Sequence, residues 1–239
     1  MHELSLFSGA GGGLLGSHLL GWRQVGYVEY DEYCQRVIAA RIADGVLPNA
    51  PIFSDVRAFL SEGYAGSYQG LADVITAGFP CQPFSNAGLR LGADDPRNMW
   101  PATIECIRTV RPRFCLLENV PGLLSSGYFG TVLGDLAQSG YDIRWRVLSA
   151  AEMGAPHKRD RLWIVAHSQS CGRTWGAGQQ GPPGRQEPED GGWWAAEPDV
   201  ARMAHGVAHR VDRIKALGNG KVPAVAAAVW RLLTDGAAS

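Results

Sequence analysis

Strand-like and helix-like segments alternate through the first 166 residues, and that alternation constrains the fold more than any other feature. Leu4–Phe7 reads as a strand that breaks into the glycine run Gly9-Ala10-Gly11-Gly12-Gly13, followed by a helical stretch over Leu14–Leu20. Gln24–Val28 reads as a second strand ending at Glu29, Tyr33–Ala43 as a helix, and a third short strand ends near Asp55. Asp73–Ala77 leads into a turn at Cys81, Arg113–Leu117 is a strand ending at Glu118, and Asp142–Leu148 and Leu162–Ala166 read as late strands. Strands separated by helices predict an α/β fold with a mostly parallel sheet and helices on both faces. Ligands of such sheets bind beyond the carboxyl ends of the strands, where Gly9, Glu29, Asp55, Cys81 and Glu118 all fall.

The chain has 239 residues, enough for one sizeable core, and its 46% apolar and 19% charged residues are ordinary for a soluble globular protein. No apolar run is long enough for a membrane span, and the N-terminus lacks the form of a signal peptide. Five cysteines without paired spacing argue for reduced thiols in a cytoplasm, with neither a disulfide framework nor a metal site. The net charge of −1 means that a nucleic-acid partner must be held by a local basic surface. Two clusters offer one: His157-Lys158-Arg159-Arg161, and the run from Arg202 to Lys221. Each can equally be a solvated charged face.

A glycine loop after a strand and before a helix lets a cofactor approach the backbone closely. There is no G-K-[ST] and no basic residue near the loop, so it is not built for a nucleotide phosphate. Glu29 can take both hydroxyls of a ribose. Tyr30 can stack on an adenine or belong to the core. Asp55 can reach the adenine amino group or cap the helix after it. Together these residues describe an adenosine cofactor without phosphates, and S-adenosylmethionine fits better than NAD.

In "AGFPCQPFSNAG" (77–88), two prolines and two glycines hold Cys81 in a tight turn, whereas a buried structural thiol needs no such punctuation. The blocks "LFSGAGG", "GFPCQPFS", "ENVPG", "HKRDRLWIVA" and "GNGKVP", in this order, resemble the DNA cytosine carbon-5 methyltransferase family of bacteria and phages. The resemblance implies a Rossmann-like, S-adenosylmethionine-dependent methyltransferase fold plus a small irregular target-recognition segment. It also implies methyl transfer to carbon 5 of a flipped-out cytosine in double-stranded DNA, through a covalent Cys81 adduct.

The chemistry gives independent reasons for the pair. Carbon 5 of cytosine is a weak nucleophile until a thiolate adds at carbon 6, and Cys81 is the candidate thiolate. Glu118 can hydrogen-bond ring nitrogen 3 and accept from the exocyclic amine, which separates cytosine from uracil. By resemblance, Arg161 contacts the base and Arg159 supports the site; a structural salt bridge is the alternative for either. The implied cofactor residues are Phe7, Gly9, Ala10, Gly12, Glu29, Tyr30, Asp55, Val56, Gly78, Pro80, Asn219 and Gly220. The stretch 85–100, with Ser85, Arg90 and Arg97, resembles the family's loop that closes over DNA. Farther on, Arg202, Arg210 and Arg213 are candidates for phosphates or guanine edges.

The resemblance thins at residues 168–200, where the span 172–192 holds seven glycines and three prolines. The expected organisation is a catalytic and cofactor-binding unit over 1–167, a short target-recognition segment over 168–213, and a helix over 214–239 returning to the catalytic unit. A reader this small predicts a short or relaxed DNA site. Lys221 also departs from the pattern, since small or apolar residues are common there. Its ammonium can contact DNA phosphate, point to solvent, or favour a cofactor analogue bearing an extra carboxylate. A monomer is sufficient for such chemistry, and a cognate restriction endonuclease is a possible partner. An RNA cytosine methyltransferase of the same fold and an inactive DNA-binding homologue are the rival readings.

Overall fold

A computed structural model describes residues 1–80, 97–171 and 210–234 of the chain. Seven strands form one sheet: β1 (His2–Leu6), β2 (Arg23–Val28), β3 (Ile52–Phe53), β4 (Val74–Ala77), β5 (Phe114–Asn119), β6 (Tyr141–Leu148) and β7 (Arg161–Ser168). Their order is β3-β2-β1-β4-β5-β7-β6. β1 to β5 pair in parallel, and β7 runs antiparallel between β5 and β6. The strand order reverses at β1 and β4, so a crevice opens between their carboxyl ends.

Eight helices accompany the sheet among the described residues: α1 (Gly12–Leu19), α2 (Glu32–Ala43), α3 (Val56–Ser61), α4 (Trp100–Val110), α5 (Gly122–Ser125), α6 (Phe129–Gln138), α7 (Arg210–Asn219) and α8 (Pro223–Thr234). α4 shows how sequence sets such an element. Trp100, Thr103, Ile104, Ile107 and Val110 recur at helical spacing and are all buried. Arg111 then adopts a left-handed conformation (φ +55°) and Pro112 follows, which stops the helix.

Alternation along the strands divides the core into two layers. Ile75, Cys115, Leu117 and Ile164 pack with α3, α4 and α6 through Phe59, Ile104, Ile107 and Leu136. Val74, Phe114, Leu116 and Trp163 face the other way, against Val225, Val229 and Trp230 of α8. Each such side chain contributes about 1.5–3 kcal/mol by leaving water. A smaller cluster of Leu14, Tyr27, Ile38 and Leu47 ties α1 and α2 to β2.

Most strands run longer than the sequence predicts, and two of these bear on the cleft. β5 continues through Glu118 and Asn119, and β7 begins at Arg161. Antiparallel pairing extends both: Glu118 pairs with Trp163 and Asn119 with Leu162, and Arg161 pairs with Leu148 of β6, contacts no local pattern announces. No helix among the described residues is long and apolar enough to cross a membrane.

Candidate active site

A cleft of about 420 Å³ lies at the switch point, lined among others by Phe7, Gly9, Glu29, Tyr30, Gly78, Pro80, Glu118 and Arg161. At one end Phe7, leaving β1, has φ +53° and Gly9 has φ +56°. This left-handed bend is easy for glycine and strained for phenylalanine, and it turns the chain sharply beneath the cleft. Gly11 is also left-handed, at φ +96°, and opens α1.

Glu29 sits at the end of β2 and organises this end. Its Oε2 accepts from the backbone N–H of Gly9 at 2.6 Å, and its Oε1 from that of Asp31 at 2.8 Å. Burial pushes the Glu29 carboxyl above the usual range, the N–H groups of Asp31 and Gly9 pull it back, and the charge of Asp31 pushes it up again. A carboxylate oxygen can accept more than one hydrogen bond, so the residue keeps capacity for diol hydroxyls. Tyr30 beside it is 78% exposed, so its ring lines the cleft as an open face and is not core. An acceptor-rich acid, an open aromatic face and a close glycine backbone fit an adenosine moiety.

The other end holds the acid–base groups. Arg161 Nε lies 2.8 Å from Glu118 Oε1, and both side chains are mostly buried. Asn119, next along β5, donates from Nδ2 to the Phe79 carbonyl at 3.1 Å and accepts the Val120 N–H on Oδ1 at 2.9 Å. It thereby fastens the Gly78-Phe79-Pro80 turn to the strand that carries Glu118. The sequence contained this residue inside "ENVPG" without revealing its task.

Arg159, in the loop before β7, has φ +42°. Its Nη2 donates to the carbonyl of Gly218 at 2.9 Å and to that of Gly220, clamping the turn between α7 and α8. Burial chiefly, and then the charge of Arg161, lower the proton affinity of its guanidinium, and Glu118 opposes them.

Several predicted residues lie off the cleft lining. Asp55 caps α3 by accepting the Arg57 N–H at 2.7 Å, and Val56 is buried in the core. Ala10 lies in the turn before α1. Gly12 packs so closely on the backbone of Lys221 that no Cβ could be accommodated there. Arg97 and Arg213 are exposed, and Arg210 opens α7. Asn219 closes α7 and Gly220 follows it. Cys81, Ser85, Arg90 and Arg202 lie outside the described residues.

Four lining residues, Asp31, Cys34, Asp212 and Lys215, were not anticipated. Asp31, the cap of α2, accepts the Tyr33 N–H at 3.0 Å and the Cys34 N–H at 3.2 Å. Its Oδ2 also lies 2.7 Å from Lys215 Nζ of α7, so this ion pair links two elements at the cleft edge. Asp212 of α7 lies on the same side, and Cys34 beneath it has a thiol pushed up to about 12, chiefly by burial. Lys221, whose destination the sequence left open, directs its side chain toward the glycine loop and the Gly78 turn. Its stem runs against Gly13 and Gly78.

A family model described as C-5 cytosine-specific DNA methylase matches residues 1–189. Type II methyltransferase M.NgoMIV of Neisseria gonorrhoeae is 35% identical over 168 residues, covering 69% of this chain and 51% of that protein. Type II methyltransferase M.NgoBI of the same organism is 38% identical over 171 residues, covering 70% and 50%. Among solved structures, a putative DNA modification methyltransferase encoded within a prophage of E. coli superposes with a TM-score of 0.58 at 26% identity, over 74% of this chain and 49% of that one. The S. pombe Dnmt2 methyltransferase shares the fold, with a TM-score of 0.55 at 20% identity over 70% and 49%. The chain spans about half the length of the curated relatives it matches. With the family model covering most of the chain and the sheet order and cleft described above, this protein belongs to the C-5 cytosine-specific DNA methylase family.

Proposed function

We propose that the protein methylates carbon 5 of cytosine in double-stranded DNA, using S-adenosylmethionine. The observation that carries this reading is that Glu118 and Arg161 share one cleft with Glu29 and Gly9. A base-recognising pair and an adenosine-recognising pair then meet in a single site. Phe7, Gly9, Glu29, Tyr30, Gly78 and Pro80 would hold the cofactor, which supplies an electrophilic methyl group.

The protein's own residues prepare the acceptor. The Cys81 thiolate adds to carbon 6 of the base, and the displaced electron pair moves into the ring toward nitrogen 3 and carbon 5. Glu118 hydrogen-bonds nitrogen 3 and the exocyclic amine, stabilising that charge, and Arg161 fixes the carboxyl by gripping Oε1. After transfer, loss of the carbon-5 proton lets the electron pair expel the Cys81 thiolate and restores the aromatic ring. A base inside a duplex is unreachable, so the cytosine must be flipped out first. We assign catalysis and cofactor binding to residues 1–167 and 214–239, and DNA reading to 168–213 with Arg202, Arg210 and Arg213. Ser85, Arg90 and Arg97 are assigned to the loop that closes over DNA, and a monomer suffices.

DNA bearing 5-fluorocytosine tests this directly, because fluorine at carbon 5 cannot leave as a proton does. Incubation with S-adenosylmethionine should give a protein–DNA band that survives denaturing electrophoresis and is absent with Cys81→Ser. No band on DNA rich in every short sequence context would count against the reading.

A further inference from the structure

Lys221 introduces the turn before α8 and sends its side chain under the cleft. Its Cδ and Nζ lie 3.1 and 3.5 Å from where a Cβ on Gly13 would stand, and its Cε and Nζ lie 2.9 and 3.4 Å from the corresponding point on Gly78. Glu118 Oε2 lies 3.0 Å from that same Gly78 point. The ammonium and the carboxyl oxygen therefore converge on one spot beneath the Gly-Phe-Pro turn, and only glycine leaves room for both. Glu3 lies on the inner side. Fully buried on β1, it accepts from Thr76 Oγ1 at 2.5 Å and from Gln24 Nε2 at 2.8 Å.

We propose that Lys221 is a positioning residue for Glu118, a second cation placed on the side of the carboxyl that Oε2 faces. The inference rests on the functional reading above. Arg161 Nε approaches Oε1, while Lys221 Nζ lies 3.4 Å from the Gly78 point that Oε2 approaches to 3.0 Å. The charged groups around this carboxyl are Arg161 from β7, Arg159 from the loop before it, Lys221 from the α7–α8 turn, and Glu3 from β1. Cys81, in the turn after β4, lies outside the described residues. Burial pulls the Lys221 ammonium below the usual lysine range, and Glu118 and then Glu3 oppose that pull. The charges of these two acids favour the ammonium, which in turn biases the orientation of the acid at the cleft.

The experiment combines two readouts. The first is a double-mutant cycle on the full chain, with urea unfolding of wild type, Lys221→Met, Glu118→Gln and the double variant. Direct coupling predicts non-additive effects, worth about fivefold or more in the unfolding equilibrium constant. The second is the steady-state kinetics of methyl transfer to DNA, where Lys221→Met should lower kcat about tenfold with the KM for S-adenosylmethionine little changed. Lys221→Arg should restore part of both effects. Additive stabilities with an unchanged kcat would overturn the proposal. So would additive stabilities with weaker binding of S-adenosylhomocysteine to Lys221→Met, which would assign the lysine to the cofactor. A wild type inactive on all DNA would overturn the functional reading alone, because the unfolding cycle decides the Lys221–Glu118 coupling without turnover.

Discussion

Arg161 Nε lies 2.8 Å from Glu118 Oε1 because β5 and β7 run antiparallel: Glu118 pairs with Trp163, and Arg161 is its diagonal neighbour two residues earlier. One strand brings its carboxyl end and the other its amino end to the same rim of the sheet. Diagonal neighbours on one face are within reach of long side chains. The strand reversal at β7, which a purely parallel sheet lacks, thus delivers an arginine to the acid.

Glu118→Gln keeps the shape of the side chain and removes its charge and proton. Methyl transfer should fall by about 10²-fold or more, in keeping with the loss of a positioned acid or acceptor. Binding of S-adenosylhomocysteine, measured by calorimetry, should change little, since the proposed function assigns the adenosine end to Glu29 and not to Glu118. A proportionate loss of both would show that the variant damages the whole cleft.

Asp55 separates two roles that its position joins. Asp55→Ala should destabilise the fold by about 1 kcal/mol through loss of the α3 cap, whereas Asp55→Asn keeps the cap. If the residue serves only as a cap, the asparagine variant will bind S-adenosylhomocysteine as wild type does. A tenfold weaker affinity at unchanged melting temperature would give Asp55 a place in cofactor recognition as well.

Gly12→Ala and Gly9→Ala should differ in kind. A Cβ on Gly12 runs into the Lys221 backbone, so the turn before α8 must shift, at about 1–3 kcal/mol. Nothing lies within 4 Å of a Cβ on Gly9, but its φ of +56° makes alanine strained by about 1 kcal/mol. Chemical denaturation should rank Gly12→Ala below Gly9→Ala in stability.

Asp31 carries a pH dependence. Its hydrogen bond to Lys215 is the chief reason its carboxyl titrates below the ordinary value of 3.8. A depressed carboxyl contributes stability that is present above 3.8 and is lost as pH falls through the lower folded value. Lys215 is well exposed, so the ion pair itself contributes only a few tenths of a kcal/mol, and the cap of α2 contributes about 1 kcal/mol. Asp31→Ala should be less stable than wild type at neutral pH, and the gap should narrow in acid unfolding below 3.8.

The sheet and the two ends of the cleft were legible because their signals are local. A strand followed by glycines, an acid at the next strand end, and a strand running into Glu118 are each contained in a few consecutive residues. What escaped was set by contacts between distant segments. Lys215 and Asp31 are 184 residues apart, and nothing in either neighbourhood announces the other. Arg159 sits in a motif that reads as catalytic, yet its guanidinium holds the carbonyls of Gly218 and Gly220, a partnership only the α7–α8 turn creates. Lys221 had three open destinations in the sequence, and the packing of its stem against Gly13 and Gly78, more than 140 residues away, is announced by nothing nearby.

The central claim is that a thiol-dependent methyl transfer to cytosine takes place in the cleft shared by Glu29 and Glu118. Nucleoside mass spectrometry tests it on DNA from methylation-deficient cells expressing either wild type or Cys81→Ser. The account predicts 5-methylcytosine with wild type and none with the serine variant. Unmodified cytosine in both, with folded protein present, or 5-methylcytosine in both, would contradict it.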